Sequence, residues 1–239
     1  MPARFPTERA DDAGRFGPQA YVDWRATSLG AITEALERRL ILRLADDVRG
    51  DSVLDVGCGD GALAIALSRA GAAQIVGCDV DPRMVARAVE SAHDQAAIGC
   101  AVARAEHLPF ADASFDLVTI ITVLAFVAEP EFAVREIARV LRPGGRLVLG
   151  DLGKWSLWAA SRRVRGWFGA PMWNAARFRS AGELRALVEA AGLHVEQISG
   201  AVYYPRCRTI ARLIAPVDPR LGELTTAGAA FVALRAGKA

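Results

Sequence analysis

Nine residues constrain this chain more than any others: Val53, Leu54, Asp55, Val56, Gly57, Cys58, Gly59, Asp60 and Gly61. A short apolar run ends around an acid, and three glycines then alternate with other residues. The run reads as a buried strand leaving into a tight turn. Glycine lets the backbone of such a turn approach a ligand closely, because no Cβ stands in the way. Residues 62 to 70 continue at helical spacing, so the turn opens a helix N-terminus. Strand, turn and helix together form the geometry of a nucleotide site.

The surrounding chain repeats this rhythm. Leu29, Ile32, Leu36, Leu40 and Leu44 predict a helix from Tyr21 to Asp46, capped by Thr27 or Ser28, with Glu34, Glu37, Arg38 and Arg39 on its polar face. Strands are expected at Ser52 to Val56, Gln74 to Cys78, Ile98 to Ala103, Phe115 to Thr122 and Arg146 to Leu149. Helices are expected at about 61 to 70, from Asp81-Pro82 to about Gln95, and from Pro130 to Leu141, with Pro143-Gly144-Gly145 as a stop and turn. The Phe115 strand is the most apolar and should be central. Such alternation implies an α/β fold with a doubly wound, mostly parallel sheet covered on both faces.

The rhythm breaks at residue 151. Residues 151 to 178 carry four of the five tryptophans and many arginines, and read as a lid or substrate-binding insert. A helix from Ser180 to Ala191, a strand within Leu193 to Tyr204, a Pro- and Arg-containing loop over 205 to 222 and a strand at Gly228 to Arg235 follow. Two last strands without an intervening helix predict an antiparallel hairpin at the edge of a seven-stranded sheet. Residues 1 to 20 are expected to form a flexible tail, leaving residues 21 to 239 as the folded domain.

Hydrophobic residues make up 52% of the chain, enough for a substantial core, and the net charge of +2 has no block that reads as a nucleic-acid-binding arm. None of the four cysteines forms a C-x-x-C pair, so no metal site is expected. With no apolar leader and no run of membrane-spanning length, a cytoplasmic location is expected.

Gly57, Gly59 and Ala62 fit a dinucleotide pattern, with Asp79 about twenty residues on. The acids Asp55 and Asp60 argue against it, since they flank the place of a pyrophosphate. A cationic ligand would gain there instead. VLDVGCGDG at 53–61, GCDVDP at 77–82, AEHLPFADASFDLV at 105–118 and REIARVLRPGGRLVLGD at 135–151 together resemble the class I S-adenosylmethionine-dependent methyltransferases, in the small-molecule, methyltransferase type 11-like group. The resemblance implies a Rossmann-like fold, S-adenosylmethionine as cofactor and methyl transfer to a small-molecule acceptor.

The resemblance also implies roles. Gly57 and Gly59, with Cys58 between them, would meet the methionine part of the cofactor. Asp55 would lie near its ammonium, Asp79 on the ribose hydroxyls and Val80 on the adenine. Thr122 would pass beneath the methionine part, and Tyr21 or Trp24 would close over it. Arg104 departs from the pattern, because it stands where related sequences often carry an aspartate that meets the adenine amino group. The backbone of Ala105 and Glu106 is expected to take over. An NAD-dependent oxidoreductase and a non-catalytic binding protein of the same fold are the alternatives.

Methyl transfer needs alignment and exclusion of water, and a base only for some acceptors. The candidates for a base or orienting group are His107, Asp151 and Tyr203. Trp155, Trp158, Arg162 and Tyr204 are the candidates for acceptor binding. Aromatics beside arginines suit a hydrophobic or anionic acceptor and peripheral contact with a membrane surface; no nucleic-acid partner is expected.

Overall fold

The computed structural model describes residues 18–168 and 171–239, and the side chains of all of these except 18–21, 171 and 172. The expected tail therefore lies outside the described residues except for backbone at 18–20, and so does the side chain of Tyr21.

Helix α1 covers Pro18–Ala26 and α2 covers Ser28–Ala45. They part at Thr27, whose Oγ1 accepts from the Gly30 N–H at 3.0 Å and caps α2. The single helix expected here is thus two. The parallel half follows as β1 (Ser52–Val56), α3 (Ala62–Arg69), β2 (Gln74–Asp79), α4 (Pro82–Ser91), β3 (Ile98–Val102), β4 (Phe115–Ile121), a 3-10 turn at Leu124–Phe126, α5 (Pro130–Val140) and β5 (Leu141–Leu152). Asp81 caps α4 through its own carboxylate at 2.9 Å from the Arg83 N–H, with Pro82 in the first turn, and α4 ends before the expected Gln95. Strand β5 starts earlier than its apolar run. Leu141 already pairs with Phe115, and the register then shifts so that Leu117 faces Arg146. Pro143, Gly144 and Gly145 are absorbed in that irregularity, not in a free turn.

The remainder is α6 (Leu157–Trp167), α7 (Pro171–Ala175), α8 (Ala181–Glu189), β6 (His194–Ala201), α9 (Arg208–Ile214), α10 (Asp218–Leu224) and β7 (Phe231–Gly237). Ser180 and Glu183 form a reciprocal capping box at the start of α8. The seven strands lie in the order β3-β2-β1-β4-β5-β7-β6. Strand β4 is central, and β7 runs antiparallel to both β5 and β6. The final pair is antiparallel as expected, but two helices, α9 and α10, join its strands where a loop was predicted.

Alternation along the strands builds two cores. Leu54, Val118 and Leu147 face Val134 and Ile137 of α5 and Leu184 and Val188 of α8. Val53, Leu117 and Val148 face Leu40, Ile41 and Leu44 of α2 and Leu67 of α3, together with Trp158, Tyr204 and Phe231. Helix α2 is thereby laid across the sheet, which brings its polar face toward the carboxyl ends of the strands.

Candidate active site

The chain crosses from one side of β1 to the other between β3 and β4, so the crevice beyond the carboxyl ends of β1 and β4 is where an open α/β sheet binds ligands. A cavity of about 190 Å³ lies there, bounded by the glycine turn, by Thr122 after β4, and by Glu34 and Glu37 of α2. Gly57 has φ 72° and both its N–H and that of Cys58 donate to the Cys78 carbonyl. A Cβ on Gly57 would meet Val123 Cγ2 at 2.1 Å, whereas nothing lies within 4 Å of a Cβ built on Gly59. The turn is therefore closed on its protein side and open in front of Gly59. Thr122 holds a left-handed φ of 57°, a strained setting for a β-branched residue, fixed by its N–H donating to the Gly150 carbonyl at 2.7 Å.

Asp55 dominates the electrostatics of this cavity. Its Oδ1 accepts from Thr119 Oγ1 at 2.7 Å, while Oδ2 is buried without a partner. Burial pushes its carboxyl up to about 6, against the hydrogen bond from Thr119, and the nearby Asp79 charge adds to the rise. A buried carboxylate oxygen without a partner, on a residue that lines a cavity, fits a cationic guest. Asp60 behaves differently, because Arg25 of α1 forms an ion pair with it and also reaches Glu34 at 3.4 Å. Of the two acids that argue against pyrophosphate, only Asp55 remains open.

Asp79 ties the end of β2 to the turn. Its Oδ2 accepts from the Gly59 N–H at 3.1 Å and its Oδ1 from the Asp81 N–H at 2.9 Å. It is not the cap of α4, and each oxygen retains a second lone pair. Val80 beside it is 45% exposed, so it is no core residue. At the position that departs from the family pattern, the Arg104 guanidinium is engaged by Glu106 Oε1 at 2.9 Å. Ala105 is buried. The cavity at the glycine turn thus brings together Asp55, Gly57, Cys58, Gly59 and Thr122, while Val80, Ala105 and Glu106 lie outside its lining.

The three candidates for catalysis are not brought to the cavity. His107 is exposed in a turn bridged to Arg104. Asp151 is fully buried, accepts from the Leu152 N–H at 2.9 Å and pairs with Arg179 at 3.1 Å. Tyr203 donates its hydroxyl to the Thr225 carbonyl, and burial raises that phenol to about 12. In their place stands Glu37. It lines the same cavity as Asp55 and Thr122. Burial holds its carboxyl near 7, opposed by Arg162 and reinforced by Glu34 and Asp218. Its spacing in the helix assigned it to a solvated face, and no local signal separated it from Glu34 or Arg38.

The insert divides. Trp158 is buried, and its indole N–H donates to the Tyr204 carbonyl at 2.7 Å. The Arg162 guanidinium lies 5.2 Å from the Trp158 ring and 4.8 Å from the Trp173 ring. Thr33 Oγ1 of α2 donates to the Leu29 carbonyl, so the Tyr204 hydroxyl, 3.0 Å away, donates to Thr33. Trp155 and Tyr204 line a second cavity of about 720 Å³ between α6 and α10. The four acceptor-side candidates therefore share one neighbourhood, but of them only Trp155 and Tyr204 line this cavity.

Comparison with known proteins accords with this geometry. The family model described as "Methyltransferase domain" matches residues 54–149. The ubiquinone biosynthesis O-methyltransferase of Idiomarina loihiensis is 34% identical over 171 residues, covering 67% of this chain and 68% of that one. The 27-O-demethylrifamycin SV methyltransferase of Amycolatopsis mediterranei is 39% identical over 127 residues, 51% of this chain and 47% of its own. The chain spans about half the length of several of the curated relatives it matches. A solved S-adenosylmethionine-dependent methyltransferase from Thermotoga maritima shares the fold, with a TM-score of 0.71 over 92% of this chain and 96% of that one at 22% identity. Site geometry, sheet order and relatives converge: the chain belongs to the class I S-adenosylmethionine-dependent methyltransferases.

Proposed function

We propose that the protein transfers a methyl group from S-adenosylmethionine to an oxygen of a small-molecule acceptor that is hydrophobic or anionic. The observation that carries this reading is the buried, unpartnered Oδ2 of Asp55, a residue that lines the cavity at the glycine turn. When bound, the cofactor supplies a methyl carbon on a positively charged sulfur, which is a good leaving group. Asp55 would receive the ammonium, and Asp79 would accept from the ribose hydroxyls. Val80 would offer an apolar face to adenine, and the backbone carbonyls of Ala105 and Glu106 would meet its amino group. Glu37 would take the proton from the acceptor hydroxyl, while the methyl carbon exchanges its bond to sulfur for one to oxygen and the thioether leaves, and would then release the proton to solvent. The carboxyl of Glu37, held near 7, can do this at neutral pH. Oxygen is favoured as the acceptor atom because the Idiomarina relative is described as an O-methyltransferase. Peripheral contact with a membrane through the Trp- and Arg-containing insert belongs to the same reading.

Calorimetry with S-adenosylmethionine, S-adenosylhomocysteine and NAD tests it, followed by incubation with a panel of phenols and alcohols and detection of methylated product by mass spectrometry. Binding of both sulfur ligands and not NAD, with product from at least one acceptor, is the expected result. Binding of neither sulfur ligand would sink the reading, and binding without product across the panel would favour the non-catalytic alternative. Asp79→Ala is expected to lower cofactor affinity by about 1–3 kcal/mol, the value of hydrogen bonds to a charged group. An unchanged dissociation constant in the same titration would remove Asp79 from the ribose.

A further inference from the structure

Helix α6 is packed with the wrong stripe outward. Its buried positions are Trp158, Ala159 and Gly166. Leu157, Ala160, Val164, Trp167 and, just past its end, Phe168 follow at steps of three, four, three and one, and all are exposed. That spacing places them on one face, where a globular protein normally turns such residues inward. Leu157 is 66% exposed, Trp167 78% and Phe168 85%, and Trp155 in front of the helix is exposed as well. A patch of this kind on a folded protein marks a contact surface.

Charge identifies the partner. Residues 154–179 contain six Lys and Arg and no acid, and residues 203–217 contain three Arg and no acid. Nine of the chain's 29 basic residues and none of its 27 acidic ones fall in these segments, so the remainder of the chain is acidic. Within the fold, Lys154 pairs with Glu183 and Arg179 with Asp151, and Arg162 acts on Glu37 of α2. The two segments meet at Trp158, which bonds the Tyr204 carbonyl and has the Arg206 guanidinium 5.2 Å from its ring. Ile210 and Leu213 of α9, in the second segment, are exposed too. A second copy of the chain docked face to face would set like charges together. A surface of anionic headgroups over acyl chains matches both the apolar stripe and the cations beside it.

We propose that the outer face of α6, with Trp155 before it and Trp167 and Phe168 after it, seats the protein on an anionic phospholipid bilayer, with the cavity between α6 and α10 opening toward the lipid. Leu157 and Ala160 belong to the stripe and also line that cavity, opposite Tyr204 and Leu221. An acceptor dissolved in the membrane thus enters along an apolar surface without crossing water. The inference deepens the reading of the insert as a membrane contact, but the surface itself does not depend on catalysis.

Flotation of the full chain with vesicles of phosphatidylcholine, alone or with about one-third phosphatidylglycerol, tests it. The protein is expected to float with the mixed vesicles, to stay behind with the neutral ones, and to be released by high salt. The double variant W167S/F168S is expected to lose roughly tenfold or more of the bound fraction, since it removes the two most exposed anchors. Its calorimetric affinity for S-adenosylmethionine should be unchanged, which establishes that it is folded. No flotation with mixed vesicles overturns the proposal. So does equal flotation of variant and wild type, or light scattering in which wild type is a dimer and the variant a monomer. Vesicle binding without cofactor binding would leave this surface standing and remove the proposed function.

Discussion

Asp55→Asn is expected to weaken S-adenosylmethionine binding by about 100-fold or more, in line with the ~3–5 kcal/mol cost of breaking a buried ion pair from one side. The same change is expected to raise the stability of the ligand-free protein at pH 8 by about 1 kcal/mol, seen as a few degrees in melting temperature. Both effects have one origin. The Asp55 carboxylate is buried with one oxygen unpartnered, so the empty fold bears its charge without compensation and a cation in the cavity provides it. The asparagine amide also lacks a partner for its N–H groups, but a neutral group costs less than a buried charge.

The pH dependence fixes the sign. The folded value of about 6 lies above the ordinary 3.8. The native state therefore holds a proton that the unfolded state has lost, and stability falls as pH rises from about 4 through 6. The advantage of the asparagine variant should be absent in acid and fully present above pH 6. Binding runs the other way. Wild-type affinity should fall as pH drops below 6, where the ammonium must displace a proton, and the variant should not share that dependence. Thermal melts and calorimetry at pH 5 and pH 8 measure both. A variant that binds as tightly as wild type would remove Asp55 from the cofactor.

Glu37→Gln is expected to lower kcat by about 100- to 10,000-fold with an oxygen acceptor, the usual contribution of a positioned base. Cofactor affinity and KM should change little, because glutamine keeps the size and a hydrogen-bonding oxygen. Glu37 works only when ionised, so the wild-type rate should rise with pH through about 7 and then level. Burial sets most of that value, Arg162 of α6 lowers it, and Glu34 of α2 and Asp218 of α10 raise it. The glutamine variant should lose the rising limb. An unaltered limb, or a kcat within a few-fold of wild type, would assign the proton to another group.

The contrast between Asp55 and Glu37 explains what was legible in the chain. Asp55 and Asp79 are read from local pattern, because a strand that ends in a glycine turn dictates where the next side chain goes. The parallel half of the sheet is legible for the same reason: Val53, Leu117 and Val148 announce strands by composition alone. Glu37 becomes a site residue only because Leu40, Ile41 and Leu44 lay α2 across the sheet, and that is a tertiary fact. Asp151 and Tyr203 lie at strand ends, where sequence suggests a site, yet Arg179 and Thr225 occupy them. The α6 stripe misleads in the opposite direction, since its spacing is that of a core helix and its face is turned outward. Helices α9 and α10 are too short for periodicity to reveal, and their Pro and Arg residues read as loop.

Because β7 is slotted between β5 and β6, the sheet cannot be completed in the order in which the chain is made. The parallel half, β1 to β5, has all its parallel pairings once residue 152 is in place. Strand β6 is made next but has no neighbour until Phe231–Gly237 arrives and bonds both it and β5. Until then β5 presents an unpaired edge, the kind that recruits other chains. Phe231 seals the junction, lying so near Gly150 that a Cβ there would come within 2.3 Å of its ring. Strand β7, made after both β5 and β6, is thus the one that joins them.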